Sequence, residues 1–552
     1  MKLLQKLLLF TFFISIISFN CTGKKEGSSN RIIIGIQSDI ESMNPLFAFD
    51  INESYIIDLL YLSLVHHKWN SDLGEIETSP LLAKSWEWNH DSTTITIQLR
   101  RGVKWSDGKE VTSEDVLYTF DLSSDPILDS RYFATFDNFY TEKDKHIDLT
   151  RTFEIISPYE LKIHFLPKST PSLFSIDIPI LPKHVFEKID RKDIQNSEKN
   201  FKPVTDGPYE LVKWEQNQVI RLKANTGSFL NEPGGIEEII FKNIPDYSSR
   251  LLQIQNGEID LITDLRPDDI VTIRTKKGLS IVPIKGREYD YIGWNNLDPN
   301  VYQKSKKIVP NKFFGSSKVR KALTYAINRV EVIENFLLDN GEIAIGPIAP
   351  IFKSIFDTSA SVYEFNPAKA RKMLAEEGWK TSPKDGILVK NGLRFSFKLV
   401  MGSGNPRREF AAAIFKNNLK AVGIDVSIEK MEMGSFIQKL FSKEFDAWIA
   451  GWSVPIPIDL TPYWRSDIKT AIFNFSSYNN NKTDQLLAKL DTNIPKMERI
   501  QIYKYIQRQL HDDEPVSFLY WVDKIVVYNT RIKDININPL GAINEVWKWK
   551  LH

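Results

Sequence analysis

The sequence predicts an α/β protein assembled from two or three lobes, and three observations carry that reading. Strand-like and helix-like patterns alternate through the second half of the chain. The chain runs to 552 residues, more than one hydrophobic core ordinarily serves. It holds a single cysteine, so burial and not cross-linking must hold it together, and a content of 42% hydrophobic and 12% aromatic residues permits that.

The N-terminus reads as an export signal. Lys2 and Lys6 precede the apolar run Leu7–Phe19, which is too short to span a bilayer but suits a signal-peptide core. Cys21 follows, and then the polar stretch 22–30. A lone cysteine at the end of such a run fits a lipid-attachment site, with residues 1–20 removed, Cys21 lipidated and 21–30 left as a tether. Asn20 and Phe19 depart from the small residues common at that cleavage site. Removing Lys2 and Lys6 takes the formal charge from +1 to −1, a balance that argues against a nucleic-acid partner.

Arg31–Ile36 reads as a buried strand and Thr94–Leu99 as a half-buried one. Asp107-Gly108 is a turn, and Thr112 with Asp115 opens a helix as a capping box. Leu161–Phe165 alternates as a strand. Tyr247–Gln255 is a helix stopped by Gly257 and followed by strand Ile259–Ile262. Residues 317–338 have helical periodicity, and Asn366-Pro367 starts a helix that stops at Gly378. Asn391-Gly392 marks a hairpin. Helix 407–421, strand 424–428, helix 435–442 and strand 446–450 complete the alternation.

The segment Arg100-Arg-Gly-Val-Lys-Trp-Ser-Asp-Gly-Lys-Glu-Val-Thr-Ser-Glu-Asp-Val116 resembles the signature of the family 5 extracellular solute-binding proteins. Asp206-Gly-Pro-Tyr-Glu-Leu211, the run 251–260, Tyr291–Asn296 with Val319–Arg329, and Ala450-Gly-Trp452 resemble further family elements in the family's order. The resemblance covers about residues 31 to 530. It implies a two-lobed periplasmic-binding-protein (Venus-flytrap) fold: lobe I from 31–60, 181–291 and 510–552, an inserted subdomain at 61–180, and lobe II at 292–509. It implies a hinge near Tyr289–Trp294 and Val516–Val522, and closure around a ligand that contacts both lobes. The implied partners are a small solute, foremost a peptide, and the permease and ATPase of an ABC importer. The implied location is the bacterial cell envelope, periplasmic and lipid-anchored to a membrane, with a monomer expected.

In peptide-binding relatives an aspartate three residues after the Gly-Trp tryptophan pairs with the ligand ammonium. Here that position is Pro455, which has neither charge nor N–H. Either Asp459 substitutes for it, or the ligand lacks a free amine. Trp452, Ser453, Asp459, Tyr463, Trp464 and Arg465 are therefore the candidate ligand contacts of lobe II, with an inter-strand core cluster as the competing reading for the aromatics. Glu41, Met43 and Asn44 are the candidates of lobe I, weighed against a simple turn before Pro45.

No catalytic constellation, metal site or cofactor is expected. His66-His67 would point to opposite faces of a strand, and no HExxH or G-x-S-x-G run occurs. Asp512–Glu514 reads as a solvated helix end. Two alternatives to a peptide carrier stay open: the same scaffold binding a sugar or metal complex, and a surface lipoprotein with a signalling or adhesive role.

Overall fold

β-Branched and aromatic runs decide where the main sheet lies. A computed structural model describes residues 30–467 and 470–552, so the export segment and the lipidation expected at Cys21 lie outside the described residues. Eleven strands form one sheet: β1 (Arg31–Ile36), β2 (Tyr209–Glu215), β3 (Val219–Ala224), β4 (Glu238–Asn243), β5 (Leu261–Ile262), β6 (Leu279–Trp294), β7 (Gly341–Ile343), β8 (Ser396–Gly402), β9 (Asp425–Met431), β10 (Ala447–Ser453) and β11 (Val516–Asn529). Their spatial order is β9-β8-β10-β6-β11-β5-β1-β4-β3-β2, with β7 paired to β11. The parallel pairs are β8 with β9 and β10 in one lobe, and β1 with β4 and β5 in the other.

Two long strands run through both lobes. The first half of β6 pairs with the end of β11, from Leu279↔Asn529 to Ile284↔Lys524, and β5 flanks that stretch of β11 in lobe I. The second half of β6 pairs with the start of β11, from Glu288↔Val522 to Gly293↔Val516, and with β10 on its other edge in lobe II. The register breaks between Ile284 and Glu288. At that break a Cβ on Gly286 would lie 1.7 Å from the Val522 carbonyl oxygen, so only glycine fits.

Packing follows the sheet. In lobe II, Ile292, Trp294, Leu399 and Leu519 belong to the core on one face, while Tyr289, Tyr291, Trp448 and Phe518 belong to the core on the other. Residues 61–180 carry their own four-stranded sheet, Ala83–Trp88, Thr94–Leu99, Glu160–His164 and Phe153–Ser157 in spatial order. Its Ile95, Ile97 and Leu161 join Ile32 and Ile34 of β1 in one continuous core.

Two expectations are corrected. The periodic run 317–338 is two helices, Ser317–Ala326 and Arg329–Asn335. Ile327 turns extended between them, and the Asn328 side chain caps the second by accepting from the Glu331 N–H. Glu514 is not solvated: it is buried, accepts from the Thr324 hydroxyl at 2.6 Å, and lies beside the buried Arg320 and Arg329.

Candidate functional site

β10 ends at Trp452 and Ser453, and a loop carries the chain through Pro455 to the short helix Thr461–Trp464. Trp452 packs edge-on to Tyr463 at 4.9 Å and against Phe473 and Phe475 at 5.3 and 5.7 Å. Trp464 is buried against Phe518 and Tyr478. With Tyr289 and Tyr291 this group encloses only about 10 Å³, no more than one water occupies. The aromatic cluster is thus self-packed, and a ligand reaches it only along the half-buried rims of Trp452 and Tyr463.

The open space lies beside it. A cleft of about 680 Å³ separates residues 74–76, 169–172 and Phe174 from lobe II residues including Phe352, Asp459, Asp491 and Tyr503. That volume suits a small ligand. Asp459 is exposed, and its carboxylate accepts the Thr461 N–H at 2.8 Å. Burial raises the Asp491 carboxyl; Arg465, 3.6 Å away, opposes that shift and Asp459 adds to it. The wall is held shut where the Val65–Pro80 hairpin meets lobe II: Lys496 pairs with Glu75 at 2.7 Å, and Lys353 donates to the Ser71 carbonyl at 2.7 Å. The Lys496 hydrogen bond holds Glu75 below the usual carboxylate value.

Ser453 is exposed at the end of β10, opposite Glu288. Glu41 is exposed, and its N–H donates to Glu53. Met43 and Asn44 are enclosed in lobe I; the Asn44 side chain donates to Asn200 and accepts from the Leu46 N–H. The structure therefore brings Trp452, Tyr463 and Trp464 together, sets Asp459 and Arg465 near the cleft, and leaves Met43 and Asn44 without surface to offer. Among the described residues no group of three or more His, Cys, Asp or Glu side chains could hold a metal ion.

The sequence reading passed over Asp58. It lies on the helix Ile51–Leu60, one turn beyond Tyr55 and open to water. The protein around the carboxyl desolvates it and raises it above the ordinary carboxylate range, with Asp177 adding to the shift and Arg131 opposing it. Tyr55 senses the charge of Arg287, whose guanidinium donates to the Val454 carbonyl at 2.7 Å in the lobe II loop. An aspartate inside a helix carries no sequence signal; only the fold sets it beside the crossing between lobes.

Two lobes joined by two strands of a shared sheet, with a ligand-sized cleft between the inserted subdomain and lobe II, define a two-lobed solute-binding protein. The chain belongs to the bacterial extracellular solute-binding proteins, family 5, whose middle region matches residues 77–474. It is 28% identical to the oligopeptide-binding protein AppA of Bacillus subtilis over 571 aligned positions, covering 100% of this chain and 98% of that protein. Among solved structures, AppA of B. subtilis in complex with a nonapeptide superposes with a TM-score of 0.70 at 26% identity, covering 95% of this chain and 99% of that one. NikZ of Campylobacter jejuni in complex with Ni(L-His) superposes with a TM-score of 0.72 at 25% identity, again covering 95% and 99%.

Proposed function

We propose that this protein captures a peptide between its lobes and delivers it to the permease and ATPase of an ABC importer, held at the cell envelope by a lipid on Cys21. The observation that carries the peptide reading is the cleft of about 680 Å³ with Asp459 on its wall, in a chain similar along its whole length to an oligopeptide-binding protein. Asp459 offers the counter-charge that Pro455 cannot supply to a ligand ammonium. A second reading is favoured by the same proline: a ligand without a free amine, such as a metal complex of the kind NikZ holds.

Mass spectrometry of what co-purifies, followed by calorimetry with synthetic peptides, decides between them. Peptides recovered from the protein and bound again in solution support the first reading; a sugar or metal complex alone, with no peptide bound, sinks it. The anchor has its own test. Cys21→Ala should leave the protein unprocessed or shed it from the membrane fraction, and unchanged processing and attachment would contradict lipidation at Cys21.

A further inference from the structure

A second groove, of about 890 Å³, lies away from the interlobe cleft, where the four-stranded sheet meets the loop 225–235. Four cations line it: Lys84, Arg100, Arg101 and Lys104. Among the described residues none of the four is ion-paired with a carboxylate. Of the two acids in the lining, Glu210 is already paired with Lys223 at 3.1 Å, and Asp206 is buried. Burial pushes the Asp206 carboxyl well above the ordinary range, which suppresses its negative charge. Two buried polar atoms in the lining lack a partner among the described residues, the indole N–H of Trp105 and one oxygen of Asp206, an arrangement that costs free energy until something accepts from the donor. At the rim, Phe229 is 44% exposed and lies under the Arg100 guanidinium at 4.6 Å.

We infer that this groove receives the phosphate of an anionic phospholipid headgroup, so that the body of the protein lies against a membrane surface by this face. A concave cluster of cations without carboxylate partners, although Arg100 donates to the Leu81 carbonyl at 2.6 Å and Arg101 lies over the Tyr159 ring, matches a phosphodiester. The groove is far larger than a free phosphate needs, and an aromatic ring at its rim suits the headgroup layer. The first described residue points the same way: the Asn30 side chain donates to the carbonyls of Gly234 and Gly235, in the loop whose residues 227–229 wall the groove. This last argument rests on the reading of Cys21 as the lipid site. An extended stretch from there to Asn30 spans at most about 30 Å, which keeps this loop close to the bilayer.

The test uses the chain from Asn30 to His552, which contains every described element and the hydrophobic cores these elements form. It should sediment with phosphatidylglycerol-containing vesicles and not with phosphatidylcholine vesicles, and salt should weaken the association. A Lys84→Gln, Arg101→Gln, Lys104→Gln variant should bind about 100-fold more weakly, since each basic group near an anionic surface contributes a factor of about five. The same charge change at the exposed Lys372, Lys416 and Lys420 of lobe II should leave binding unchanged, with circular dichroism checking that both variants fold. Equal losses in the two variants, or no binding by the parent, would overturn the inference. Displacement from vesicles by millimolar inorganic phosphate would assign the groove to a free anion and overturn the lipid reading. Because this chain lacks Cys21, a negative result counts against the groove and leaves the anchor reading standing.

Discussion

Asp459 and Lys443 are the two side chains whose charge has the clearest consequence. Asp459 is free to reach into the cleft because only one of its oxygens is used locally, by the Thr461 N–H. If it pairs with a ligand ammonium that becomes desolvated on closure, neutralising it costs about 2–5 kcal/mol. Asp459→Asn should then weaken a free-amine peptide about 30-fold or more in calorimetry, while an N-acetylated peptide binds poorly to both forms. If Asp58→Asn has that effect and Asp459→Asn does not, the anchor sits on lobe I. Lys443 is buried, donates to the Asn474 carbonyl at 2.6 Å, and is lowered by burial to about 8. The unfolded chain holds that proton up to about 10.5, so between about 8 and 10.5 the folded form binds fewer protons. Stability should therefore rise with pH across this window, by at most about 3 kcal/mol. Urea midpoints of Lys443→Met should lose that rise; an identical pH profile in both proteins would show that Lys443 stays charged in the fold.

At the scale of elements, the crossing between lobes depends on Gly286. A methyl group there meets the Val522 carbonyl oxygen at 1.7 Å and its carbon at 2.7 Å, and backbone atoms paired in β11 cannot move aside as a flexible side chain could. Gly286→Ala should cost about 3 kcal/mol or more in denaturant unfolding, and a loss below about 1 kcal/mol would mean that the strand pair shifts freely at this point. The elements that sequence reasoning located well are those whose signals are local. Arg31–Ile36 and Thr94–Leu99 match their expected bounds because alternation and β-branching lie within six residues. The Tyr247–Asn256 helix stops where Gly257 turns left-handed. What escaped depends on partners far along the chain. Glu514 is buried because Thr324 and Arg320 come to it from another helix. Trp452 is half-buried because Phe473 and Phe475 fold back from some twenty residues further on. The break in β6 becomes visible only when β11, more than two hundred residues later, is laid against it.

For the whole molecule, closure about β6 and β11 should reduce the radius of gyration when ligand binds, as measured by small-angle scattering on a sample whose binding calorimetry has confirmed. Equal radii with and without ligand would leave the hinge without support. The shared strand also governs when the protein can take shape. Residues 516–522 of β11 complete the sheet of lobe II, and residues 524–529 complete that of lobe I. Arg531 then fastens lobe I, donating to the carbonyl of Arg31, 500 residues earlier, and pairing with Asp260 at 2.7 Å. A ribosome-bound chain ending before Val516 can finish neither lobe, however long it waits. Release of a chain ending at Asp523 should yield a protease-resistant lobe II beside a cleavable lobe I, and equal resistance of both would refute this order. Of the described strands, β11 is thus the one on which both lobes wait as synthesis proceeds from the N-terminus, so a single late segment sets the timing of two folding events.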